Sequence, residues 1–217
     1  MIKELLLLLF TILDAMENIK EHWEGVYKTK TPDQVSWTQV KPINSLRLIE
    51  NSNISKDAKI IDIGGGDSNL VDYLLEEGYT NITVLDISGE ALERAKKRLG
   101  NKAHQVKWIE SNITTFTPTE QYDVWHDRAV FHFLTVEETQ AYTQLVTKAV
   151  KENLIIATFS KQGPLKCSGL EIIQYNAEDL NELFKESFTL KDSFYEDHIT
   201  PFDTKQNFVY CHFKKNK

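Results

Sequence analysis

From Asp57 onward, short apolar and β-branched runs alternate with stretches of helical periodicity. The pattern predicts strands over 58–63, 82–86, 105–110, 122–126 and 154–159, with helices over 69–77, 88–100 and 135–151 between them. No Pro/Gly-rich linker or internal repeat interrupts the alternation. Repeated strand–helix units favour a mostly parallel sheet with helices on both faces, which is a doubly wound α/β fold.

The final third departs from this repeat. A loop containing Cys167, Ser168 and Gly169 precedes a helix opened by Asn176. Two long alternating stretches then follow close together, at 188–194 and 207–213. Such a pair most simply forms an antiparallel hairpin at one edge of the sheet, which gives seven strands in all.

The segment before Asp57 is predicted to form a helical cap over residues 16–56, because Trp23, Tyr27 and Trp37 stand there in a polar setting. An apolar run at 5–13 resembles a signal sequence, but it is too short to span a bilayer. Leu13-Asp14-Ala15 also lacks the small-residue pair of a cleavage site. We therefore interpret residues 1–15 as an extension, with Met16 as the expected start of the domain proper.

Composition narrows the class of protein. The chain has 217 residues, 41% of them hydrophobic and 26% charged, which suits one globular domain with a full core. The formal charge of −7 makes nucleic acid a disfavoured partner. Cys167 and Cys211 cannot build a disulfide framework, and with the six histidines they show no tight metal-ligand spacing. We expect a cytoplasmic protein with no metal and no membrane span.

The sharpest motif is a hydrophobic strand that ends in Asp62-Ile63 and turns into a helix through Gly64-Gly65-Gly66. Only glycine lets a backbone pass so close to a ligand. A nicotinamide site would require Gly-x-Gly-x-x-Gly, and the third glycine position is occupied by Asn69. The missing third glycine therefore weakens the interpretation of the motif as a dinucleotide site.

Two acids indicate the chemistry of that ligand. Asp62 places a carboxylate in the crevice, where it would hold an ammonium group and repel a pyrophosphate. Asp86, at the end of the second strand, stands where acids accept hydrogen bonds from ribose hydroxyls, and Ile87 beside it can pack on adenine. A ligand with ribose, adenine, an amino group and no phosphates is S-adenosylmethionine.

From about residue 57 to residue 213, the chain resembles the class I S-adenosylmethionine-dependent methyltransferases, a Rossmann-like family whose sheet ends in an antiparallel hairpin. The resemblance implies that the glycine turn holds the methionyl part, that the second-strand acid holds the ribose, and that a polar residue after the third strand reads the adenine. Many relatives have Asp where this chain has Asn112, whose amide oxygen can also accept a hydrogen bond. The implied cofactor residues are Asp62, Gly64, Gly65, Gly66, Asp86, Ile87, Asn112, Ile113 and, from the cap, Trp37.

Two further segments narrow the resemblance: 22–39, which begins His22-Trp23-Glu24, and 122–133, which contains the Asp127-Arg128 pair. Together they are similar to a small, mostly bacterial subgroup that resembles both thiol, thiopurine and tellurite methyltransferases and methyltransferase-like lysine methyltransferases. Members typically begin just before the His-Trp-Glu segment, which supports Met16 as the start. The candidate catalytic residues are His126, Asp127, Arg128 and His132.

Each candidate also has a structural interpretation. Asp127 and Arg128 could form a local ion pair, and His132, among apolar neighbours, is more typical of a buried structural histidine. Cys167 is a candidate residue near the acceptor, although a lone loop cysteine is usually incidental.

The sequence therefore predicts an enzyme that transfers a methyl group from S-adenosylmethionine to a thiol, a metalloid or a protein lysine. The alternative is a non-catalytic S-adenosylmethionine-binding module or scaffold. A nucleotide-dependent oxidoreductase is disfavoured by Asp62 and by the missing third glycine. The acceptor and the oligomeric state stay open.

Overall fold

A computed structural model describes residues 18–217. The extension at 1–15 and the expected start at Met16 lie outside these residues. The described part of the cap contains a helix through residues 18–29, here α1, and the helix α2 (Ile43–Asn51), joined by a short 3-10 turn at Pro32–Gln34.

The core of the fold is a seven-stranded sheet, with strand order β3-β2-β1-β4-β5-β9-β8. Its strands are β1 (Ile60–Ile63), β2 (Ile82–Asp86), β3 (Val106–Glu110), β4 (Tyr122–Arg128), β5 (Val150–Phe159), β8 (Phe188–Ile199) and β9 (Lys205–Lys215). The first five pair in parallel, whereas β9 runs antiparallel to β5 and to β8. The predicted mostly parallel sheet with an antiparallel carboxyl-terminal hairpin is confirmed.

Helices cover both faces of this sheet, as predicted. After α2 they are α3 (Leu70–Glu76), α4 (Gly89–Leu99), α5 (Val136–Ala149) and α6 (Ala177–Phe184). One buried cluster packs α2, α3 and α4 against one face, and a second packs α5 and α6 against the other. Every residue of β1 and β2 is buried, because these central strands are covered on both faces, which explains their near-continuous apolar sequences.

The helix starts follow from local chemistry. The Ser88 hydroxyl accepts the backbone N–H of Ala91 at the start of α4. Thr135 with Glu138 forms a capping box for α5, and Asn176 caps α6. These three side chains satisfy backbone donors that a helix end leaves unpaired, so the predicted caps are confirmed.

Several boundaries differ from the predictions. The hairpin strands expected over 188–194 and 207–213 extend over Phe188–Ile199 and Lys205–Lys215. The helix expected to reach about residue 151 ends at Ala149, and β5 begins at once with Val150, which pairs with Tyr122. The polar residues that follow Val150 are typical of a helix surface, but strand pairing outweighs that local preference. Similarly, β4 continues past the expected end at 126 to Arg128.

The predicted loop around Cys167 is a small hairpin. β6 (Lys166–Cys167) and β7 (Leu170–Glu171) pair across a two-residue turn made by Ser168 and Gly169. Both turn residues have positive φ, +52° and +81°, as the tightest hairpin turns require. Among the described residues, no helix is long and apolar enough to cross a membrane.

Candidate cofactor-binding site

Two cavities open at the carboxyl ends of the parallel strands, where open α/β sheets bind ligands. The larger, of about 500 Å³, includes Asp86 and Asn112 in its lining, and we call it the large cavity. The smaller, of about 270 Å³, includes Asp62 and His126, and we call it the small cavity. Gly64 and Arg128 line both, so the two spaces meet at the glycine turn.

The glycine turn is shaped by contacts that no larger residue would allow. Gly64 has φ of +64°, and an added Cβ would lie 2.1 Å from Cγ2 of Val130. A Cβ on Gly65 would lie 2.5 Å from Asp62 Oδ2, and one on Gly66 would lie 2.5 Å from Asp86 Oδ2. The glycines therefore leave room for both carboxylates. Gly66 lines neither cavity, so its part is to let Asp86 approach.

Asp67, beside the glycines, is held by the protein itself. Its carboxylate pairs with Arg94 and Arg98 of α4, and Arg98 also donates to the carbonyls of Asp67 and Ser68. These contacts fix the glycine turn to α4. Asp62 and Asp67 both line the small cavity, but the carboxylate of Asp67 is already paired with two arginines; Asp62 has 3% of its surface exposed.

The large cavity contains the remaining predicted cofactor residues: Asp86, Ile87, Asn112, Ile113 and Trp37. Asp86 is buried, and burial raises the pKa of its carboxyl to about 7 from a usual value of 3.8. One of its oxygens accepts the backbone N–H of Ser88 at 2.8 Å. Asn112 Oδ1 accepts the N–H of Thr114 at 3.0 Å, which leaves it one further acceptor position.

The cap covers this region with aromatic side chains. Trp23 and Tyr27 of α1 line the large cavity together with Trp37, and the rings of Trp23 and Trp37 meet edge to face with centroids 5.6 Å apart. Tyr27 is buried beside Asp86, and burial together with this carboxylate raises the pKa of its hydroxyl well above 10. These residues would exclude water from a bound ligand.

Glu24 attaches the cap to the sheet domain. Its carboxylate accepts the backbone N–H groups of Gly89 and Glu90 and the hydroxyl of Ser88, at 2.8 to 3.3 Å. A carboxylate suits the amino terminus of α4, where backbone N–H groups and the helix dipole favour negative charge. The contact positions α1 next to Asp86.

The end of β4 forms the wall between the cavities. Arg128 donates through Nε to the Tyr210 hydroxyl and through Nη1 to the Trp37 carbonyl, at 3.1 and 3.0 Å. Its buried Nη2 has no hydrogen-bond partner within residues 18–217. Ala129 follows with φ of +74°, a strained conformation for a residue with a Cβ, and also lines both cavities.

The other three catalytic candidates differ in whether they line a cavity. His126 lies in the small cavity, whereas neither Asp127 nor His132 lines either cavity. Asp127 is fully buried and accepts the N–H groups of Val130 and Phe131 and the Tyr142 hydroxyl. Burial raises its pKa to about 6. No ion pair joins Asp127 to Arg128 in the described part of the chain.

His132 is also fully buried, stacked on Phe159 with ring centroids 4.5 Å apart. The Phe159 N–H donates to its Nδ1 at 3.3 Å, and burial lowers the pKa of the imidazole to about 3. Cys167 does line the large cavity, but burial raises the pKa of its thiol to about 11. Neither group is thus poised to exchange a proton near neutral pH.

The residues that the sequence did not single out are Ser45, Glu24 and Ala129. Ser45, on α2, lies in the small cavity beside His126. Glu24 stood within a quoted segment, but nothing local indicated that it caps a helix 65 residues away. A polar residue inside the apolar face of α2 was the one signal that could have marked Ser45.

The donors and acceptors present suit a nucleoside with an amino-acid group. Asp62 can accept from an ammonium in the small cavity, and Asp86 can accept from ribose hydroxyls in the large one. The unpartnered Nη2 of Arg128, at the junction, suits a carboxylate. Within residues 18–217, no cluster of three or more metal-ligating side chains occurs.

Comparison with known proteins indicates which class of protein the chain resembles. Residues 60–153 match a family described as a methyltransferase domain. EEF1A lysine methyltransferase 2 of Danio rerio is 27% identical over 188 residues, covering 79% of this chain and 75% of that protein. The eEF1A lysine and N-terminal methyltransferase of Mus musculus is 22% identical over 135 residues, covering 61% of this chain but only 19% of that longer protein.

Among solved structures, an S-adenosylmethionine-dependent methyltransferase from Anabaena variabilis has the same fold. The TM-score is 0.71 at 15% identity, and the match covers 93% of this chain and 95% of that one. The domain match, the relatives and the shared fold all indicate a methyltransferase, and the chain is similar to the class I S-adenosylmethionine-dependent methyltransferases. S-adenosylmethionine, the cofactor expected from the sequence, suits the donors and acceptors that line the two cavities.

Proposed function

We propose that the protein methylates an amino group, and that the acceptor is a lysine side chain of a protein. The proposal depends on the lining of the large cavity. Its charged residues are Asp86, Arg128, Glu138 and Glu171, so acids outnumber bases three to one and no lysine contributes. Apart from Asp86, which we assign to the ribose, the acids are Glu138 and Glu171, and we infer that these two face the acceptor.

Aromatic and acidic groups together suit a long cationic side chain. Trp23 and Phe133 line the same cavity, with ring centroids 5.3 Å apart, and provide walls for the methylenes of lysine. Glu138 and Glu171 would attract the ammonium. A thiolate or a metalloid oxyanion is negatively charged, and these same acids would oppose it. The names of both curated relatives, as lysine methyltransferases, support the same class of acceptor.

The cofactor supplies an electrophilic methyl group on its sulfonium. When the amine lone pair forms the new N–C bond, the S–C bond breaks, and the proton of the amine passes to a carboxylate or to water. The residues of the chain align the acceptor and exclude water, which contributes through proximity and orientation. Deprotonation is eased by the apolar walls, because desolvation disfavours the ammonium form.

The acidic lining is tested by Glu138→Gln and Glu171→Gln. We expect each to raise the KM for a lysine acceptor by roughly threefold to tenfold, because one charge contact of modest strength is lost. Gln retains the capping box at position 138, and the Glu171–Lys166 ion pair is exposed, so stability should change little. The KM for the cofactor should not change. Glu137→Gln is the matched control, since Glu137 does not line the cavity.

Transfer of a labelled methyl group identifies the acceptor class. The full chain is incubated with methyl-labelled S-adenosylmethionine and elongation factor 1A, the protein named for both relatives. The same factor with acetylated lysines, a simple thiol and tellurite are tested in parallel. We expect label on the untreated protein and none after acetylation.

Other outcomes favour the competing functions. Methylation of the thiol or of tellurite alone would contradict the lysine proposal and indicate a small-molecule enzyme. Cofactor binding without transfer to any acceptor would favour the non-catalytic binding module.

A reducing compartment such as the cytoplasm fits the protein, because Cys167 and Cys211 are both free and buried.

A further inference from the structure

Three side chains from separate elements form a buried hydrogen-bonded chain beneath the cofactor site. His126 Nδ1 lies 2.7 Å from Asp62 Oδ1, and His126 Nε2 lies 2.8 Å from Ser45 Oγ. The exposed fractions of Ser45, Asp62 and His126 are 1%, 3% and 2%. All three line the small cavity, so the chain joins α2, β4 and β1 at the place where the ammonium of the cofactor is expected.

The direction of the hydrogen bonds follows from the groups present. An ionised carboxylate only accepts, so the imidazole donates through Nδ1–H to Asp62. In the tautomer with its hydrogen on Nδ1, the imidazole accepts at Nε2, and Ser45 donates its hydroxyl hydrogen to it. His126 is thereby fixed in one tautomer and one orientation, as a histidine between a carboxylate and a second partner generally is.

The same contact orients Asp62. His126 holds Oδ1, and Oδ2 lies at the glycine turn, where a Cβ on Gly65 would be 2.5 Å away. A buried carboxylate without this bond would be free to rotate and would lack a partner for one oxygen, which is costly in a desolvated site. The bond thus leaves one defined oxygen for a cation.

We propose that His126 is a positioning residue for the cofactor: it holds Asp62 toward the cofactor ammonium, and Ser45 holds His126. His126 is not the base for the acceptor, because it lines the small cavity and not the large one. The proposal rests on the assignment of Asp62 to the cofactor. It is independent of the identity of the acceptor.

Two ligands separate positioning from general structural support. S-adenosylhomocysteine carries the amino-acid group, whereas 5′-methylthioadenosine has the same nucleoside without an ammonium. Asp62 and His126 should therefore matter for the first ligand only. The dissociation constants of both ligands are measured by calorimetry for the full-length parent, Asp62→Asn, His126→Leu, His126→Asn and Ser45→Ala.

We expect His126→Leu to raise the dissociation constant for S-adenosylhomocysteine by about tenfold to a hundredfold, the factor expected for losing a hydrogen bond to a charged group. Methylthioadenosine should bind as it does to the parent. His126→Asn keeps an N–H donor near the Nδ1 position and should stay within about threefold of the parent. The dissociation constant of Ser45→Ala for S-adenosylhomocysteine should lie between those of His126→Asn and His126→Leu. The double variant Asp62→Asn with His126→Leu should bind S-adenosylhomocysteine no more weakly than Asp62→Asn alone, because both substitutions disrupt the same hydrogen-bonded pair.

Several outcomes would overturn the proposal. An equal loss for both ligands in His126→Leu would show a structural role, and no loss for either would show that the contact is dispensable. If His126→Leu does not fold, His126→Gln substitutes for it, because its longer amide retains the Ser45 bond while losing the Nδ1 geometry. Failure of the cofactor assignment is recognised separately, since Asp62→Asn would then bind S-adenosylhomocysteine as tightly as the parent.

Discussion

Asp86→Asn is expected to make the ligand-free protein more stable at pH 8 and to weaken its cofactor binding. Burial raises the pKa of the Asp86 carboxyl to about 7 in the folded state, from a usual value of 3.8. The folded protein therefore holds a proton that the unfolded chain releases between about pH 4 and pH 7. Across that window the contribution of Asp86 to the free energy of unfolding falls as pH rises, and above it the loss is complete.

Asparagine removes this dependence. We expect the free energy of unfolding of Asp86→Asn to exceed that of the parent by about 2 kcal/mol at pH 8 and by little at pH 4. The amide oxygen can still accept the Ser88 N–H. Ribose loses one carboxylate acceptor, so affinity for S-adenosylhomocysteine should fall by about tenfold or more. Urea denaturation at the two pH values and calorimetry measure the two effects.

Asp127→Asn provides the contrast. Asp127 is buried with a raised pKa as well, but its oxygens already accept from Val130, Phe131 and Tyr142. An amide in its place leaves the Tyr142 hydroxyl without an acceptor, so this variant should be less stable than the parent. Equal stability changes in Asp86→Asn and Asp127→Asn would contradict the distinction between a ligand-binding acid and a structural one.

Gly64→Ala is expected to reduce stability by about 3 kcal/mol or more and to abolish measurable cofactor binding. Two costs add at this position. The φ of +64° is unfavourable for any residue with a Cβ, and the new methyl would lie 2.1 Å from Cγ2 of Val130. Relief of that clash requires the Val130 side chain to leave its rotamer or the glycine turn to move, and Val130 and Gly64 both line the large cavity.

Gly78→Ala is the matched control, because Gly78 has φ of +87° and nothing within 4 Å of an added Cβ. It should cost only the backbone strain, about 1–2 kcal/mol, and leave cofactor affinity unchanged. Adding Val130→Ala to Gly64→Ala should restore part of the lost stability. A Gly64→Ala protein that binds the cofactor like the parent would show that the turn is not close to the ligand.

The sequence alone predicted features whose cause is local. The alternating apolar runs predicted the parallel strands, and the caps at Ser88, Thr135 and Asn176 lie within three residues of the N–H groups they satisfy. The carboxyl boundary of α5 was wrong, because the partner that draws Val150 into a strand, Tyr122, is distant in sequence. Local secondary-structure propensity cannot predict such a long-range strand pairing.

The site likewise contains residues that the sequence predicted and contacts that it could not predict. Asp62 was predicted from its position at a strand end just before the glycine turn, and Asp86 from its position at the end of the second strand. The structure places them in adjoining cavities. The hydrogen bond from Ser45 to His126 joins residues 81 positions apart, and the Glu24 cap joins residues 65 apart. No sequence motif indicates contacts of that kind, because they form only when the cap packs on the sheet.

The central claim is that the two cavities bind S-adenosylmethionine through Asp62 and Asp86. Its most direct test is calorimetric titration of the full-length protein with S-adenosylhomocysteine, with NADH as the control ligand and Asp62→Ala as the control variant. We expect one micromolar site for S-adenosylhomocysteine on the parent, no heat with NADH, and loss of binding in Asp62→Ala. Absence of S-adenosylhomocysteine binding by folded parent protein, or equal binding by Asp62→Ala, would contradict it.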